Sequence, residues 1–260
     1  MMNFSIIGTG NMAHFLAKEL INAGHHMQGI WGRNQKAAKI FSHRYHTVAY
    51  DKLQEITDEA DHYCFLAIKD IAIAEIAEQF QFKHSTLIHT AGASALQLLG
   101  KQSAHKAVFW PIYSIVAEKM ENENHIPIAV EGNNPETEKE VLTLAKSISQ
   151  KAFVADETQR LHLHLAAVFA NNFSNHLLSI AQEICTQQQI PFDYLLPIMT
   201  QTFERLKTKN ARSVQTGPAI RDDKMTMQKH LELLKNNPEW ALLYQSLSAS
   251  IRKMYSENEE

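Results

Sequence analysis

The opening residues run Phe4-Ser5-Ile6-Ile7-Gly8-Thr9-Gly10-Asn11-Met12-Ala13, a short apolar strand that breaks at glycine and resumes as a helix. This G-x-G-x-x-A turn constrains the fold more than anything else in the chain. Gly8 permits the tight turn, Gly10 leaves room for a ligand against the backbone, and Ala13 lets the helix pack close to the strand. The free N–H groups at the start of that helix, with the positive end of its dipole, suit phosphate. The spacing therefore predicts a dinucleotide site at Gly8, Thr9, Gly10, Asn11, Met12 and Ala13. A glycine motif alone is weak, but here it has a strand before it and a helix behind it.

The first half of the chain repeats the alternation. Apolar runs at Phe4–Gly8, Met27–Trp31, His46–Ala49, His62–Ala67, Thr86–Thr90, Ala107–Trp110, Ile126–Val130 and Ala152–Ala155 predict strands. The segments between them carry helical spacing; Met12, Phe15, Leu16 and Leu20 share one face ahead of Gly24. Such alternation implies a mostly parallel, doubly wound sheet with helices on both faces. The pattern changes after Asp156. No proline or glycine occurs from Glu157 to Gln188, and further helices are expected at about 192–207, 222–235 and 238–255. The expected fold is thus an α/β Rossmann domain over 1–156, binding NADP, followed by an all-α substrate and dimerisation domain over 157–260.

Composition narrows the partners. A net charge of -3 over 260 residues gives no electrostatic case for nucleic acid or an anionic membrane. No apolar run approaches a membrane span. The chain enters its first strand with no basic region or cleavage site, so no signal peptide is expected. The two cysteines, Cys64 and Cys185, are far apart and lack metal-ligand spacing, which fits a reducing, cytoplasmic setting and no metal. Glu257–Glu260 forms a short acidic end.

The second strand closes with Ile30-Trp31-Gly32-Arg33-Asn34. A site for NAD usually places Asp or Glu here to accept from the ribose 2′-hydroxyl. Arg33 instead suits a 2′-phosphate, with Asn34 adding a hydrogen bond, and points to NADP(H); the alternative is a solvated residue at a helix start. The ends of the next two strands, Ala67-Ile68-Lys69 and His89-Thr90-Ala91, should also line the crevice, because ligands bind at the carboxyl ends of such strands. His89 has two readings, facing the ligand or capping its own loop.

The helical half carries His162, His164, Asn171, Asn172, Asn175 and His176 in otherwise apolar sequence. His162 and His164 are two apart and do not form a metal pair. His164 and Asn172 are eight apart and share roughly one helical face. They are either satisfied polar residues or groups facing a cleft. Downstream, Thr216-Gly217-Pro218 fixes a turn ahead of Arg221, which either clamps an anionic substrate group or pairs with Asp222 or Asp223.

The glycine turn, Arg33-Asn34 and Ala67-Ile68-Lys69 resemble the superfamily of pyrroline-5-carboxylate reductases and deazaflavin-dependent NADP oxidoreductases. Leu163-His164-Leu165-Ala166-Ala167-Val168-Phe169, Asn172-Phe173 and Thr216-Gly217-Pro218-Ala219-Ile220-Arg221 resemble a group of Rossmann-like proteins, provisionally called NADP oxidoreductases, with a C-terminal domain of unknown function. The resemblance spans nearly the whole chain. It implies a helical domain similar to the C-terminal domain of 6-phosphogluconate dehydrogenase and a homodimer built through it. The related β-hydroxyacid dehydrogenases place a catalytic lysine just before an Asn-Asn pair; here the pair is Asn171-Asn172 and the lysine position is Val168. Losing a general acid typically costs ~10²–10⁴ in rate.

The expected function is hydride transfer between NADP(H) and a small imine, carbonyl or deazaflavin acceptor. His164 would donate or orient a proton, Asn172 position the substrate, and Arg221 clamp an anionic group. The alternative is a non-catalytic NADP(H)-binding sensor or scaffold. A pyrroline-5-carboxylate reductase proper fits less well, because the glycine- and proline-rich helix start of that enzyme is missing.

Overall fold

Ile6 and Ile7 are neighbours on one strand, so they point to opposite faces of a sheet, and both are fully buried. Tyr63 to Leu66 and Ala107 to Phe109 repeat that pattern. A sheet buried on both faces must be covered on both, which is what a parallel sheet with crossover helices supplies. The computed structural model, which describes residues 1–115 and 125–256, shows this arrangement. The acidic end Glu257–Glu260 lies outside the described residues.

The strands are β1 (Asn3–Ile7), β2 (His26–Trp31), β3 (Val48–Ala49), β4 (His62–Leu66), β5 (Thr86–His89), β6 (His105–Pro111), β7 (Ile128–Gly132) and β8 (Ala152–Val154). They form one sheet in the order β3-β2-β1-β4-β5-β6-β7-β8. All neighbours are parallel except β6 and β7. Each expected strand is present. The chain winds outward from β1 to β2 and β3, then crosses to β4 on the other side of β1. The glycine turn leaves β1 at this reversal, the place where doubly wound sheets bind ligands.

The covering helices are α1 (Asn11–Asn22), α2 (Gln35–Arg44), the short α3 (Ile73–Ala77), α4 (Pro135–Ile148) and α5 (Glu157–Ala167). Phe15, Leu16 and Leu20 of α1, Phe41 of α2 and Leu144 of α4 pack with Phe4, Ile6, Phe65 and Phe109. Burying each such side chain contributes about 1.5–3 kcal/mol. Ile73 and Ala77 of α3 and Leu163 of α5 join Ile7, Cys64, Leu66, Leu87 and Val108 on the other face.

The chain forms two compact units, Met1–Val168 and Phe169–Glu260. The second contains α6 (Ser174–Gln187), α7 (Leu196–Leu206), α8 (Lys224–Leu233) and α9 (Pro238–Ser256), and its described residues contain no strand. The expected single helix over 157–188 is corrected in one respect. Val168–Phe173 is π-helical, so α5 and α6 are joined by a wider turn. Two local contacts favour it: the Ser174 hydroxyl donates 3.2 Å to the Phe169 carbonyl five residues back. The rings of Phe169 and Phe173 also meet edge to face, 5.1 Å apart. Spacing arguments that assume an unbroken α ladder, such as the one linking His164 to Asn172, do not carry across this segment.

Candidate dinucleotide site

The two turn glycines are glycine for different reasons. Gly8 has φ +116°, and a Cβ there would sit 2.1 Å from the Ala67 carbonyl oxygen. The backbone of β1 and the end of β4 alone demand it. Gly10 has φ -86° and extended backbone that any residue adopts. A Cβ there would meet no atom of the described residues within 4 Å. The fold does not require glycine at that position; an object pressed against the backbone would.

The start of α1 carries the same message. Among the described helices, Asn34 caps α2, Asn134 caps α4, Asp156 caps α5 and Asp223 caps α8 by accepting from a first-turn N–H. No side chain caps α1, and its first turn holds no acidic residue. The N–H groups of Asn11, Met12 and Ala13 meet no acceptor among the described residues. Unsatisfied N–H groups at a helix start bind anions well. Ala13 itself is fully buried, packed under the turn, and touches the sheet rather than the cleft. The Asn11 amide reaches across to donate 3.1 Å to the Ile115 carbonyl.

A cleft of about 490 Å³ opens over this turn. Its lining brings together Gly8, Thr9, Gly10, Asn11 and Met12 with Arg33, Asn34, Ala67, Ile68 and Lys69. Arg33 and Lys69 are both exposed, and neither has an ion pair or side-chain hydrogen bond among the described residues. Among the described residues, no carboxylate lines this cleft. The Asn34 Oδ1 accepts from Ala37 N at 3.2 Å, so it serves as a helix cap and only its amide NH₂ is left for a ligand.

His89, Thr90 and Ala91, expected to line the crevice, are not among the residues lining this cleft. His89 is fully buried; its Nδ1 accepts from the Ala91 N–H at 3.3 Å, the loop-capping arrangement. Its Nε2 meets no partner in bonding geometry, although the Ala95 backbone favours the protonated ring. Burial, reinforced by the nearby Arg160 charge, lowers the ring's pKa to about 4. His89 is therefore neutral near pH 7 and closed off from the surface. Thr90 is also buried, and Ala91 is partly exposed.

Comparison with known proteins places this geometry. Residues 3–92 match the family described as NADP oxidoreductase, coenzyme F420-dependent, and residues 126–251 match a domain of unknown function, DUF2520. The N-terminal stretch is thus similar to that oxidoreductase family and the C-terminal stretch to the DUF2520 domain. A Bacteroides fragilis protein with the provisional name NADP oxidoreductase is 29% identical, with a TM-score of 0.88 over 97% of this chain and 98% of that one. A Thermotoga maritima protein is 21% identical, with a TM-score of 0.75 over 99% and 100% of the two chains. The 1-pyrroline-5-carboxylate reductase of Streptococcus pyogenes is 19% identical, with a TM-score of 0.64 over 97% and 98%. No curated protein matches the chain.

The remaining sequence-derived residues lie in the DUF2520 segment. His164, on α5, is half-buried, and its ring lies 5.7 Å from that of Trp110 at the end of β6. Its ring nitrogens meet no partner among the described residues. Val168 begins the π-helical stretch, and Asn172 lies within it, exposed. Arg221 is exposed and forms no salt bridge or side-chain hydrogen bond among the described residues, although its charge, after the Thr226 hydrogen bonds, helps hold Asp223 below the usual carboxylate value. Its two candidate partners are engaged elsewhere: Asp222 pairs with Lys224 and Arg252, each at 3.4 Å. Asp223 accepts from Thr226 N and Oγ1 at 3.0 and 2.7 Å.

Two features escaped the sequence reading. One is the π segment. The other is Arg160, which is fully buried on the same face of α5 as Leu163. An arginine three residues before an apolar core position was the available signal. Several of the histidines bond hydroxyls: His14 to Tyr45, His25 to Ser147, His105 to Thr137 and His230 to Tyr244.

Proposed function

We propose that this chain is an NADP(H)-dependent oxidoreductase that transfers hydride to or from a small imine, carbonyl or deazaflavin acceptor. Gly10 carries the proposal: a glycine the fold does not need, at an uncapped helix start, is explained by a pyrophosphate lying on the backbone. Arg33 and Lys69, unpaired at the rim of the same cleft, supply the positive charge a 2′-phosphate needs. A charge-assisted pair of that kind contributes roughly 1.5–3 kcal/mol. The bound nicotinamide supplies or accepts the hydride, and the protein's task is placement.

On the acceptor side, His164 is the proton donor or orienter in this reading, Asn172 positions the substrate, and Arg221 holds an anionic group. Val168 stands where related dehydrogenases use lysine and cannot exchange a proton. That favours acceptors needing little acid help, such as an imine already protonated or a deazaflavin ring. The same valine supports a second reading, a dinucleotide-binding sensor or scaffold without turnover. We also propose a homodimer through the helical domain, supported by the apolar side chains Phe169, Phe173, Ile198 and Phe203, each at least half exposed. Such a stretch on a soluble helix commonly marks an interface.

Calorimetric titration with NADPH and NADH, followed by an NADPH-oxidation screen over imines, ketones and a deazaflavin, tests the proposal. Tighter NADPH binding and turnover with one acceptor class are expected, with turnover lost but binding kept in His164→Ala. Tight binding without any turnover would favour the sensor; no binding at all would end both readings.

A further inference from the structure

Arg160 is the largest fully buried side chain among the described residues, and each of its bonds goes to one of two places. Nε and Nη2 donate to Glu131 Oε2 on β7 at 3.1 and 2.6 Å. Nη1 donates to two backbone carbonyls of the β5 loop, Gly92 and Ser94, each at 2.9 Å. A buried guanidinium is costly unless every donor finds a partner. Here the pair does more than satisfy itself, because it fixes two peptide planes of a loop.

Those planes are trans, so each N–H points away from its carbonyl. With the Gly92 and Ser94 carbonyls turned onto Arg160, the N–H groups of Ala93 and Ala95 are turned to the opposite side. Neither N–H meets an acceptor among the described residues. Ala93, between the two clamped carbonyls, is exposed. The loop is held at three more points. His89 Nδ1 takes the Ala91 N–H, and the Ser94 hydroxyl donates 3.1 Å to Asp70 in the turn that follows β4. Gly92 lies so close under Trp110 that a Cβ would come within 2.3 Å of the ring. A loop this firmly fixed, with two free donors side by side, is built to receive an acceptor oxygen.

We propose that Arg160, steered by Glu131, is a positioning residue that aims the Ala93 and Ala95 N–H groups at the nicotinamide half of a bound dinucleotide. The inference rests on the dinucleotide reading above. Sheet order decides which half. Arg33 follows β2, and the glycine turn follows β1. A dinucleotide with its 2′-phosphate at Arg33 and its pyrophosphate over β1 extends its other half toward β4 and β5. The carboxamide of that half offers the acceptor oxygen.

The test titrates the wild type, Arg160→Lys and Glu131→Gln with NADP⁺ and with 2′-phosphoadenosine diphosphoribose, which lacks only the nicotinamide. NADP⁺ binding should weaken about five- to tenfold in both variants, the scale of one lost hydrogen bond. Fragment binding should stay the same. A merely structural role would weaken both ligands together, and that result, or no change in either, overturns the proposal. Hydrogen exchange on the wild type provides a check that needs no variant. NADP⁺ should slow exchange at Ala93 and Ala95 while the fragment should not; equal protection by both overturns the assignment. If the wild type binds neither ligand, the dinucleotide reading itself fails, which is distinct from binding both with no selective loss.

Discussion

The two edges of the sheet treat their backbone donors in opposite ways. At the N-terminal edge, the Asp58 carboxylate accepts from the backbone N–H groups of Lys83, His84 and Ser85 at 2.8, 2.9 and 2.7 Å. Those bonds hold its pKa below the usual carboxylate value, against the opposing effect of burial. Next to it, His62 is bracketed by Ser85 Oγ and Ser5 Oγ, each at 3.0 Å. At the C-terminal edge, α1 has no cap, Arg33 and Lys69 have no partners among the described residues, and the loop after β5 turns two N–H groups outward. At one edge these groups are satisfied within the protein; at the other several have no partner among the described residues. Buried and terminal polar groups are normally satisfied. An edge that leaves several open together is therefore a functional statement, and the closed edge shows that this chain can satisfy such groups when nothing else is needed.

The largest expected effect separates fold from ligand within the open edge itself. Gly8→Ala places a Cβ against the Ala67 carbonyl at positive φ. It should destabilise the protein by about 3 kcal/mol or more. Chemical denaturation checks this. A stability within about 0.5 kcal/mol of wild type would show that the turn is not held by β4, and that Gly8 too answers to a ligand.

At the closed edge, burial lowers the pKa of His62 to about 4, with Glu59 and Asp58 opposing the shift. The unfolded chain titrates near 6.5, so the folded state binds fewer protons between these values. Stability is complete above about pH 6.5 and falls as the pH drops toward 4. The two pKa values imply ~3 kcal/mol from this one residue. His89, also lowered to about 4, has the same sign. Denaturation across pH 4–7 should show a steep acid loss that His62→Gln reduces by about half, since two such histidines share it. An unchanged slope would mean that the closed edge tolerates a charge, and the contrast between the edges would weaken.

How much of this contrast was legible in sequence depends on distance along the chain. The strands and the glycine turn are local patterns, and each expected strand exists because alternate residues bury on alternate faces. The closed edge was invisible because His62 reaches Ser5 across 57 positions. Arg160 was invisible for the same reason, since its bonds span 29, 66 and 68 positions. The π segment was missed because apolar periodicity through Val168–Phe173 reads equally well as α. Gly10 stood out in the sequence as part of the turn, but only the space around it among the described residues separates a ligand's need from the fold's.

Gly10→Val exploits that space. The backbone is already extended, and the side chain would start where no atom of the described residues lies within 4 Å of its Cβ. Stability should stay within about 0.5 kcal/mol of wild type while NADPH affinity falls about a hundredfold, since the side chain fills the place assigned to the pyrophosphate. Gly8→Ala and Gly10→Val thus predict opposite signatures two residues apart. Unchanged NADPH affinity in Gly10→Val would break the reading of the open edge at its centre.

The smallest expected effect sharpens which ligand the open edge awaits. Arg33→Ala removes one exposed cation with no protein partner among the described residues, so stability should not change. NADPH binding should weaken about tenfold to a hundredfold, following the ~1.5–3 kcal/mol of a charge-assisted pair. NADH binding should hardly move, because no 2′-phosphate is present to lose a partner. Raising the salt concentration should narrow the gap between wild type and variant, as expected for charges at an exposed rim. Equal losses for both dinucleotides would assign Arg33 to the shared part of the ligand, and Lys69 would then be the remaining cation among the described residues of this cleft able to read the 2′-position.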